Sequence, residues 1–249
     1  MIRAVLFDVG GTLHTVQRDP GLADRFSTTL KQKLQEVGVS LPIEVPALSA
    51  LLGENAERYK QWSQDTQLEL PNVQIWNEYY LKEFQIGEAV LAPIAEELSV
   101  LYDATRVHNV PQPDLLETME ALRKQGMILG VISNIISTTF VPKVLEDYGI
   151  ASYMSCVIMS EGVGVRKPNP AIFEIAAKQV GVPLSEMAYV GDTLSRDVLG
   201  CRNAGVGLSI QISNPSIAHR DVAFVDTVTP DYLIHKLSEI PAIIAAQNT

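Results

Sequence analysis

The chain has 249 residues, of which 47% are hydrophobic and 19% are charged, and its formal net charge is −10. This composition is typical of a folded globular protein, and the negative charge argues against nucleic acid or an anionic membrane as a partner, because both favour clustered Lys and Arg. Two cysteines cannot form a disulfide framework, and no apolar run approaches the ~18 residues needed to span a bilayer. The first apolar run stops at Asp8, which is too short for a signal peptide, so a cytoplasmic protein is predicted.

The first predicted element is a short buried strand, Ala4 to Phe7, which ends at Asp8. Consecutive apolar residues are typical of a parallel strand covered on both faces, and the carboxyl end of such a strand faces the crevice where open α/β sheets bind ligands. Gly10 and Gly11 follow, and glycine lets the backbone bend and approach a ligand closely. Asp8 is therefore either a ligand-binding residue or the cap of a turn.

The next stretch, from about residue 16 to about residue 106, has the periodicity of helices and no convincing strand. Leu22, Phe26, Leu30 and Leu34 recur every four residues, and Gly38 follows as a stop signal. Further helices are predicted over 45–60, 75–84 and 89–102, with a loop over 62–72. An all-helical block inserted after the first strand is interpreted as a second domain.

Strands and helices alternate from Val110 to the end of the chain. Strands are predicted at 127–132, 156–159, 187–190, 207–210 and 232–234. Asn169 as N-cap with Pro170 at the first helical position marks the start of one of the intervening helices. Such alternation implies right-handed crossovers and a parallel sheet. The predicted fold is α/β, a doubly wound parallel sheet (a Rossmann-like core) with an inserted all-helical cap domain.

Polar side chains follow the ends of several predicted strands. They are Asp8, Ser133 with Asn134, Lys167, and Asp192 with Asp197. Because the carboxyl ends of parallel strands lie at one edge of a sheet, these side chains are expected to meet. A hydroxyl beside the N–H groups that open a helix suits a phosphate, and a Lys is a compact charge for a phosphoryl oxygen. Taken singly, Ser133 and Asp192 could equally be helix caps and Lys167 a surface residue.

Together these motifs resemble those of the haloacid dehalogenase-like hydrolase superfamily, most of whose members are magnesium-dependent phosphatases. Phe7 to Leu13 resembles its first motif, Asp-x-Asp-x-Thr after a strand, and Ser133-Asn134 resembles the second. Lys167 corresponds to the third motif, and Gly191 to Asp197 resembles the fourth, Gly-Asp-x-x-x-x-Asp. The resemblance implies a core of residues 1–15 and 110–249 and a helical cap of residues 16–109.

The resemblance also implies a reaction, in which Asp8 attacks a small phosphorylated metabolite and water then hydrolyses the aspartyl phosphate. The implied cofactor is Mg²⁺, held by Asp8, Asp192 and the backbone carbonyl of Gly10. Mg²⁺ keeps several waters, so two carboxylates and a substrate phosphate suffice as its other ligands.

The remaining motif residues are implied to serve the phosphate. Ser133, Asn134 and Lys167 would bind it, and Asp197 would orient Lys167 or a metal-bound water. Arg166 fills no motif position and is interpreted as a surface residue. Nothing in the pattern indicates an oligomeric state.

The sequence departs from the family pattern at Gly10, which stands where the second Asp is expected. In most family phosphatases that Asp protonates the leaving oxygen and later activates water, and such help is worth about 10²–10⁴-fold. Dehalogenases and phosphonoacetaldehyde hydrolase also lack it, so both are alternatives; the first needs no metal, and the second uses a cap Lys as a Schiff base, for which Lys60 is the candidate. The retained Asp192 argues against a dehalogenase. The third alternative is a weakly catalytic protein that binds Mg²⁺ or phosphate.

Two groups of residues outside the motifs are further candidates. His14 lies just past the first motif and could donate a proton near neutral pH, although a loop His is more often simply exposed. Periodicity does not show which residues of the cap face the site and determine substrate specificity. The candidates are Arg18, Arg25, Arg58 and Lys60. The connections around residues 14–18 and 106–112 are predicted to act as hinges.

Overall fold

The main sheet has six parallel strands, and a computed structural model describes residues 1–17 and 19–249 of the chain. The strands of the described residues are β1 (Ala4–Phe7), β2 (His14–Gln17), β3 (His108–Pro111), β4 (Ile128–Ser133), β5 (Met154–Met159), β6 (Met187–Gly191), β7 (Leu208–Ile212) and β8 (Tyr232–Ile234). The main sheet has the order β5-β4-β1-β6-β7-β8. Counted within the sheet this is 3-2-1-4-5-6, the order in which ligands bind where the winding reverses, between β1 and β6.

Strand β1 is central because both of its faces are covered. Val5 and Phe7 pack into one hydrophobic cluster, and Ala4 and Leu6 pack into a second cluster on the opposite face of the sheet. All four side chains are fully buried. An uninterrupted apolar run is what such a doubly covered strand requires, so the prediction for β1 is confirmed.

Helices surround the sheet and also fill the chain between β2 and β3. They are α1 (Pro20–Glu36), α2 (Val45–Thr66), α3 (Asn72–Gln74), α4 (Glu88–Leu91), α5 (Ala95–Thr105), α6 (Leu115–Lys124), α7 (Phe140–Asp147), α8 (Ser160–Val163), α9 (Pro170–Val180), α10 (Leu199–Ala204) and α11 (Ile240–Gln247). A π-helix (Ile75–Tyr80) and a 3₁₀ turn (Lys82–Phe84) follow α3, and a second π-helix (Leu194–Val198) precedes α10. Shorter 3₁₀ turns are Ala151–Tyr153, Leu184–Glu186, Pro215–Arg220 and Leu237–Glu239.

The helices α1 to α5, here called the helical block, have a hydrophobic cluster of their own. Leu30, Leu34, Leu48 and Trp76 are fully buried in it, and so the four-residue repeat of α1 marks a real packing face. Ile136, which follows β4, packs into the same cluster. The block therefore has its own core and also contacts the sheet domain beside β4.

Three secondary-structure predictions need correction in this region. Helix α2 runs to Thr66, so the predicted loop over 62–72 is wrong for its first residues. The helix predicted over 89–102 is two helices, α4 and α5, because Pro93 interrupts it. Strands β2 and β3 pair antiparallel, with His14 opposite Pro111 and Gln17 opposite His108. The two links between sheet and helical block are thus one two-stranded ribbon.

No helix within the described ranges combines the length and the apolar character that crossing a bilayer requires.

Candidate active site

Three carboxylates meet where the winding of the sheet reverses. Asp8 follows β1 and Asp192 follows β6, and Asp197 lies one turn further along the chain. Each contributes an oxygen to a group in which all ligand atoms lie within 4.8 Å of one another, and all three residues are buried. Adjacent parallel strands bring their carboxyl ends together, so the predicted approach of Asp8 and Asp192 is found in the structure.

Lys167 reaches into this group from the loop before α9. Its Nζ donates to Asp8 Oδ1 and to Asp197 Oδ1, each at 2.7 Å, and to the hydroxyl of Tyr189 at 2.7 Å. Tyr189 in turn donates to the carbonyl of Ile132, which anchors the contact to the sheet. Lys167 is only 3% exposed, so the interpretation of a solvated surface Lys is excluded.

Lys167 and Asp197 each stabilise the charged form of the other. Burial alone would lower the pKa of Lys167, but Asp197 and Asp8 outweigh burial and raise that pKa above its usual value. Burial alone would raise the pKa of Asp197, yet Lys167 and Arg196 hold it below its usual range. Lys167 is therefore a cation and Asp197 an anion at neutral pH.

Asp197 has little capacity left for a metal ion. Its Oδ1 accepts from Lys167, and its Oδ2 accepts from the backbone N–H of Thr193 at 3.0 Å and from the Thr193 hydroxyl at 2.5 Å. These bonds fix both Asp197 and the ammonium that it contacts. The arrangement fits an orienting carboxylate.

Asp192 differs because one of its oxygens is unsatisfied. Its Oδ2 accepts from the side chain of Asn214 at 2.8 Å, while its Oδ1 is buried and has no hydrogen-bond partner in the described part of the chain. Arg196 comes no closer than 4.0 Å to Oδ1. Burial, with Asp8 and Asp197 adding to it, raises the pKa of Asp192 to about 7. A buried anionic oxygen without a partner is costly, and a bound cation would satisfy it.

The structure brings Ser133 and Asn134 to the cavity beside Asp8, as the strand-end pattern predicts. Ser133 is buried and lines the cavity in front of Asp8. Asn134 accepts from the backbone N–H of Lys167 at 2.9 Å and donates to the Lys167 carbonyl at 3.0 Å, so it positions that residue's backbone. The next helix begins only at Phe140. The prediction that N–H groups open a helix directly after Ser133 is therefore wrong.

His14 is buried within β2 and is not an exposed loop residue. It is 3% exposed, and its Nδ1 lies 3.0 Å from the hydroxyl of Tyr148. Burial lowers the pKa of His14 to about 4. The imidazole is therefore neutral at neutral pH, which argues against the predicted imidazolium proton donor.

A cavity of about 440 Å³ opens in front of Asp8. Its lining includes Gly10, His14, Ser133 and Asp192. Glycines, hydroxyls, amides and several carboxylates around such a space suit a small polar ligand. Several features predicted from separate strand ends thus share one cavity.

Three residues of the site were not predicted from the sequence. Tyr189 lies inside the apolar run of β6, where a Tyr is normally interpreted as a core residue, so the sequence pattern does not indicate that it belongs to the site. Thr193 sits within the fourth motif. Asn214 follows the end of β7, so the same strand-end rule that identified Asp192 could have identified it.

The residues of the helical block that were predicted as candidates for substrate contact lie in different surroundings. Arg18 lies outside the described residues. Arg25 pairs with Asp19 and Arg58 contacts Glu54, both at exposed positions. Lys60 pairs with Glu57 at 2.8 Å and lines a second cavity, whereas Asp8 lines the first, so Lys60 is poorly placed for Schiff-base chemistry at Asp8.

Arg166 is the clearest error among the sequence interpretations. Its side chain is 13% exposed and lies 3.0 Å from Oε2 of Glu69, whose side chain is fully buried. The contact joins the loop that carries Lys167 to the helical block. Arg166 is thus a structural contact and not a surface residue.

Comparisons with known proteins agree with this geometry. A family model described as haloacid dehalogenase-like hydrolase matches residues 2–205. A glyceraldehyde 3-phosphate phosphatase from Methanopyrus kandleri is 29% identical over 98% of this chain and 97% of its own length. A HAD phosphatase from Thermococcus onnurineus is 26% identical with a TM-score of 0.63, covering 98% of both chains. A 2-haloacid dehalogenase from Pseudomonas syringae pv. Tomato DC3000, 23% identical with a TM-score of 0.67 over 99% of this chain and 100% of that one, supports the fold alone.

Proposed function

Since the chain belongs to the haloacid dehalogenase-like hydrolase family, we propose that it is a Mg²⁺-dependent phosphatase of small phosphate monoesters. The observation that carries the proposal is the buried cluster of Asp8, Lys167 and Asp192 at the reversal point of the sheet. The similarity to a glyceraldehyde 3-phosphate phosphatase supports a small phosphorylated substrate.

Asp8 is the proposed nucleophile. Its carboxylate lines the cavity and is held by Lys167 at 2.7 Å, which fixes its orientation. Attack by an Asp8 oxygen on phosphorus would form the aspartyl phosphate and break the ester bond, and the departing alkoxide would take a proton from water. A water molecule would then cleave the intermediate to phosphate and regenerate the Asp8 carboxylate. A carboxylate that attacks an anionic phosphate needs nearby positive charge, and Lys167 supplies one cation.

The residues present fit Mg²⁺. Asp192 Oδ1 is a buried oxygen without a hydrogen-bond partner among the described residues, and oxygen donors are the ligands that Mg²⁺ prefers. Asp8, Asp192 and the backbone carbonyl of Gly10 would hold the ion. When bound, it would neutralise charge on the phosphoryl oxygens.

The other residues of the cavity would receive the phosphate. The Ser133 hydroxyl is available in the lining, and Asn134 fixes the backbone of Lys167 so that its ammonium points at Asp8. Asp197 would keep that ammonium charged and in place. Gly10 offers no side chain to protonate a leaving alkoxide, so esters with good leaving groups should be hydrolysed fastest.

A phosphate-release assay with and without Mg²⁺ tests this function. Asp8→Asn should abolish turnover, and chelation of Mg²⁺ should do the same to the wild type. Asp147→Asn alters an exposed pair with Lys143, so this variant should keep both the turnover of the wild type and its dependence on Mg²⁺. The proposal would be refuted if phosphate release persisted both in the wild type after chelation of Mg²⁺ and in the Asp8→Asn variant.

Calorimetry of Mg²⁺ binding tests the metal ligands separately. Asp192→Asn should lose affinity at least as strongly as Asp8→Asn, because it removes the unsatisfied oxygen. Since the pKa of Asp192 is raised to about 7, protons compete with the metal below that pH, and wild-type affinity should fall from about pH 8 to about pH 6. Equal binding by the wild type and both variants would show that the ion sits elsewhere.

A further inference from the structure

A second cavity of about 620 Å³ adjoins the one at Asp8. Asp103, Val107 and Arg220 line both cavities, so the two meet at the end of the helical block. A ligand whose phosphate lies at Asp8 could therefore extend past Asp103 into the second space. The residues at this junction would contact the part of the substrate that leaves as the alcohol.

Asp103, in α5, presents an unsatisfied oxygen at the junction. Its Oδ2 is buried and lacks a hydrogen-bond partner in the part of the chain that the structure describes. Burial raises the pKa of Asp103 well above its usual value, and nearby Glu69 raises it further against the opposing effect of Arg106. A carboxyl accepts hydrogen bonds when ionised and also donates when protonated, so the unsatisfied oxygen of Asp103 matches the hydroxyl of a ligand in either state.

Arg106, one turn further along, supplies a positive charge close to Asp103. Its guanidinium carbon lies 4.3 Å from the ring centroid of Tyr102, with which it also shares a side-chain hydrogen bond, and among the described residues Arg106 forms no salt bridge. Two other cations of the second cavity, Lys60 and Arg166, are paired with Glu57 and Glu69. Stacking on Tyr102 holds the planar group in place, so little conformational freedom is lost when it binds an anion.

We propose that Asp103 and Arg106 select the leaving group, and that the preferred substrates are phosphate monoesters with a hydroxyl near the ester and a second anionic group, a carboxylate or another phosphate, at the far end. This inference rests on the proposed function, because it takes the ester to lie at Asp8. A guanidinium binds carboxylates and phosphates with two parallel hydrogen bonds, whereas a neutral end group would leave it unpaired. In a protein of net charge −10, a cavity cation that forms no salt bridge with the described residues is also a strong local attractor of anions.

Matched pairs of ligands test the anionic end. Glycerol 3-phosphate and 3-phosphoglycerate differ by a carboxylate, and fructose 6-phosphate and fructose 1,6-bisphosphate differ by a phosphate, so the pairs separate the two sources of charge. In the Mg²⁺-loaded wild type, KM should be about tenfold lower for the anionic member of at least one pair. Arg106→Gln should remove that preference by raising KM, with kcat nearly unchanged.

Arg123→Gln is the matched control. Arg123 also lies over a tyrosine ring, with its guanidinium carbon 4.8 Å from the centroid of Tyr153, but it lines neither cavity. This variant should keep the wild-type preference. Asp103→Ala tests the hydroxyl: it should raise KM for glycerol 3-phosphate but not for propyl phosphate, which has no hydroxyl.

Binding measurements separate this inference from the proposed function. In an Asp8→Asn background, calorimetry gives Kd for each pair with and without Arg106→Gln, whether or not the wild type hydrolyses any ester. Absence of turnover in the wild type would refute the proposed phosphatase function. Loss of the preference for anionic ligands in Arg106→Gln would still support the proposed role of Arg106 in ligand recognition. Equal Kd within both pairs, or equal weakening of both members by Arg106→Gln, would overturn it.

Discussion

Gly10 and Gly11 are neighbours in the chain, but a side chain would meet different surroundings at each. A Cβ on Gly10 would have His14 Nε2 at 3.8 Å as its nearest atom, which is ordinary contact, and Gly10 is not among the residues with positive φ. Gly11 has a φ of +89°, and a Cβ there would collide with the carboxylate of Asp192. Only Gly11 is therefore required by the backbone.

This difference makes Gly10→Asp a practical test of the missing acid. The variant should fold, and it places a carboxyl beside the leaving oxygen. Turnover of alkyl phosphates should then rise, by at most the ~10²–10⁴ of general acid catalysis, while that of nitrophenyl phosphate should change little, because nitrophenolate leaves without a proton.

Gly11→Ala is the control for that variant. It should lower the melting temperature and weaken Mg²⁺ binding, because the new methyl group displaces Asp192. A Gly10→Asp protein with a normal melting curve and no gain on any alkyl phosphate would mean that a proton donor is not what limits the reaction.

At the scale of elements, the loop after α2 binds the loop before α9. Leu68 pairs with Val165 as an antiparallel bridge, and the backbone N–H of Glu69 donates to the carbonyl of Gly164 at 3.0 Å. The buried Glu69 carboxylate accepts from Arg166 and also from the hydroxyls of Tyr59 and Ser160. The helical block is thereby attached directly beside Lys167.

Arg166→Gln should destabilise the protein strongly. It removes the only cation that pairs with Glu69 among the described residues and leaves that carboxylate buried, a change that typically costs about 3–5 kcal/mol. Urea denaturation measures the loss. Lys143→Gln, which breaks the exposed pair with Asp147, should cost under about 1 kcal/mol. If the two variants are equally stable, the Glu69 contact contributes no more than a surface pair.

The elements show what could be predicted from the sequence and why. Asn169 caps α9 by accepting from the N–H of Ala171 at 3.0 Å, as predicted, because a cap depends only on neighbouring residues. Strand β2 (His14–Gln17) was missed, because it has no apolar run and its partner lies beyond the whole helical block. Glu69 and Arg166 were missed for the same reason: each looks like an ordinary charged loop residue until the fold brings them together.

The candidate site was predicted better than the ribbon. Asp8, Lys167, Asp192 and Asp197 meet as expected, because the parallel sheet fixes where its strand ends lie. The pKa of His14 was not predictable, because it is set by burial in the folded chain, where His14 contacts the distant residue Tyr148.

At the scale of the whole molecule, the helical block is expected to close over Asp8 as a mobile cap. Besides the Glu69 contact, Glu96 of α5 accepts from the backbone N–H groups of Thr138 and Thr139, at 3.0 and 2.9 Å, across the front of the sheet. These contacts would form on closure and break on opening, typically in microseconds to milliseconds.

Hydrogen exchange with Mg²⁺ and vanadate, a phosphate mimic, tests closure. Amides of residues 138–139 and of Glu69 should become more protected when both ligands are bound, while the paired amides of β2 and β3 should stay equally protected in both states. Glu96→Gln should reduce the gain at residues 138–139. Identical exchange with and without ligands would mean that the helical block is a fixed part of the core.

The pairing of β2 with β3 also limits how such a block can move. Two separate linkers could bend independently in several directions, but a hydrogen-bonded ribbon resists bending within its plane and yields mainly by torsion about its long axis. Helix α2 has 22 residues and is about 33 Å long. A torsion of about 10°, small beside the twist that two-stranded ribbons tolerate, would move a point at that distance from the axis through about 6 Å. Closure would then be a rotation about a single axis, the long axis of the ribbon, whose strands are aligned with His14 opposite Pro111.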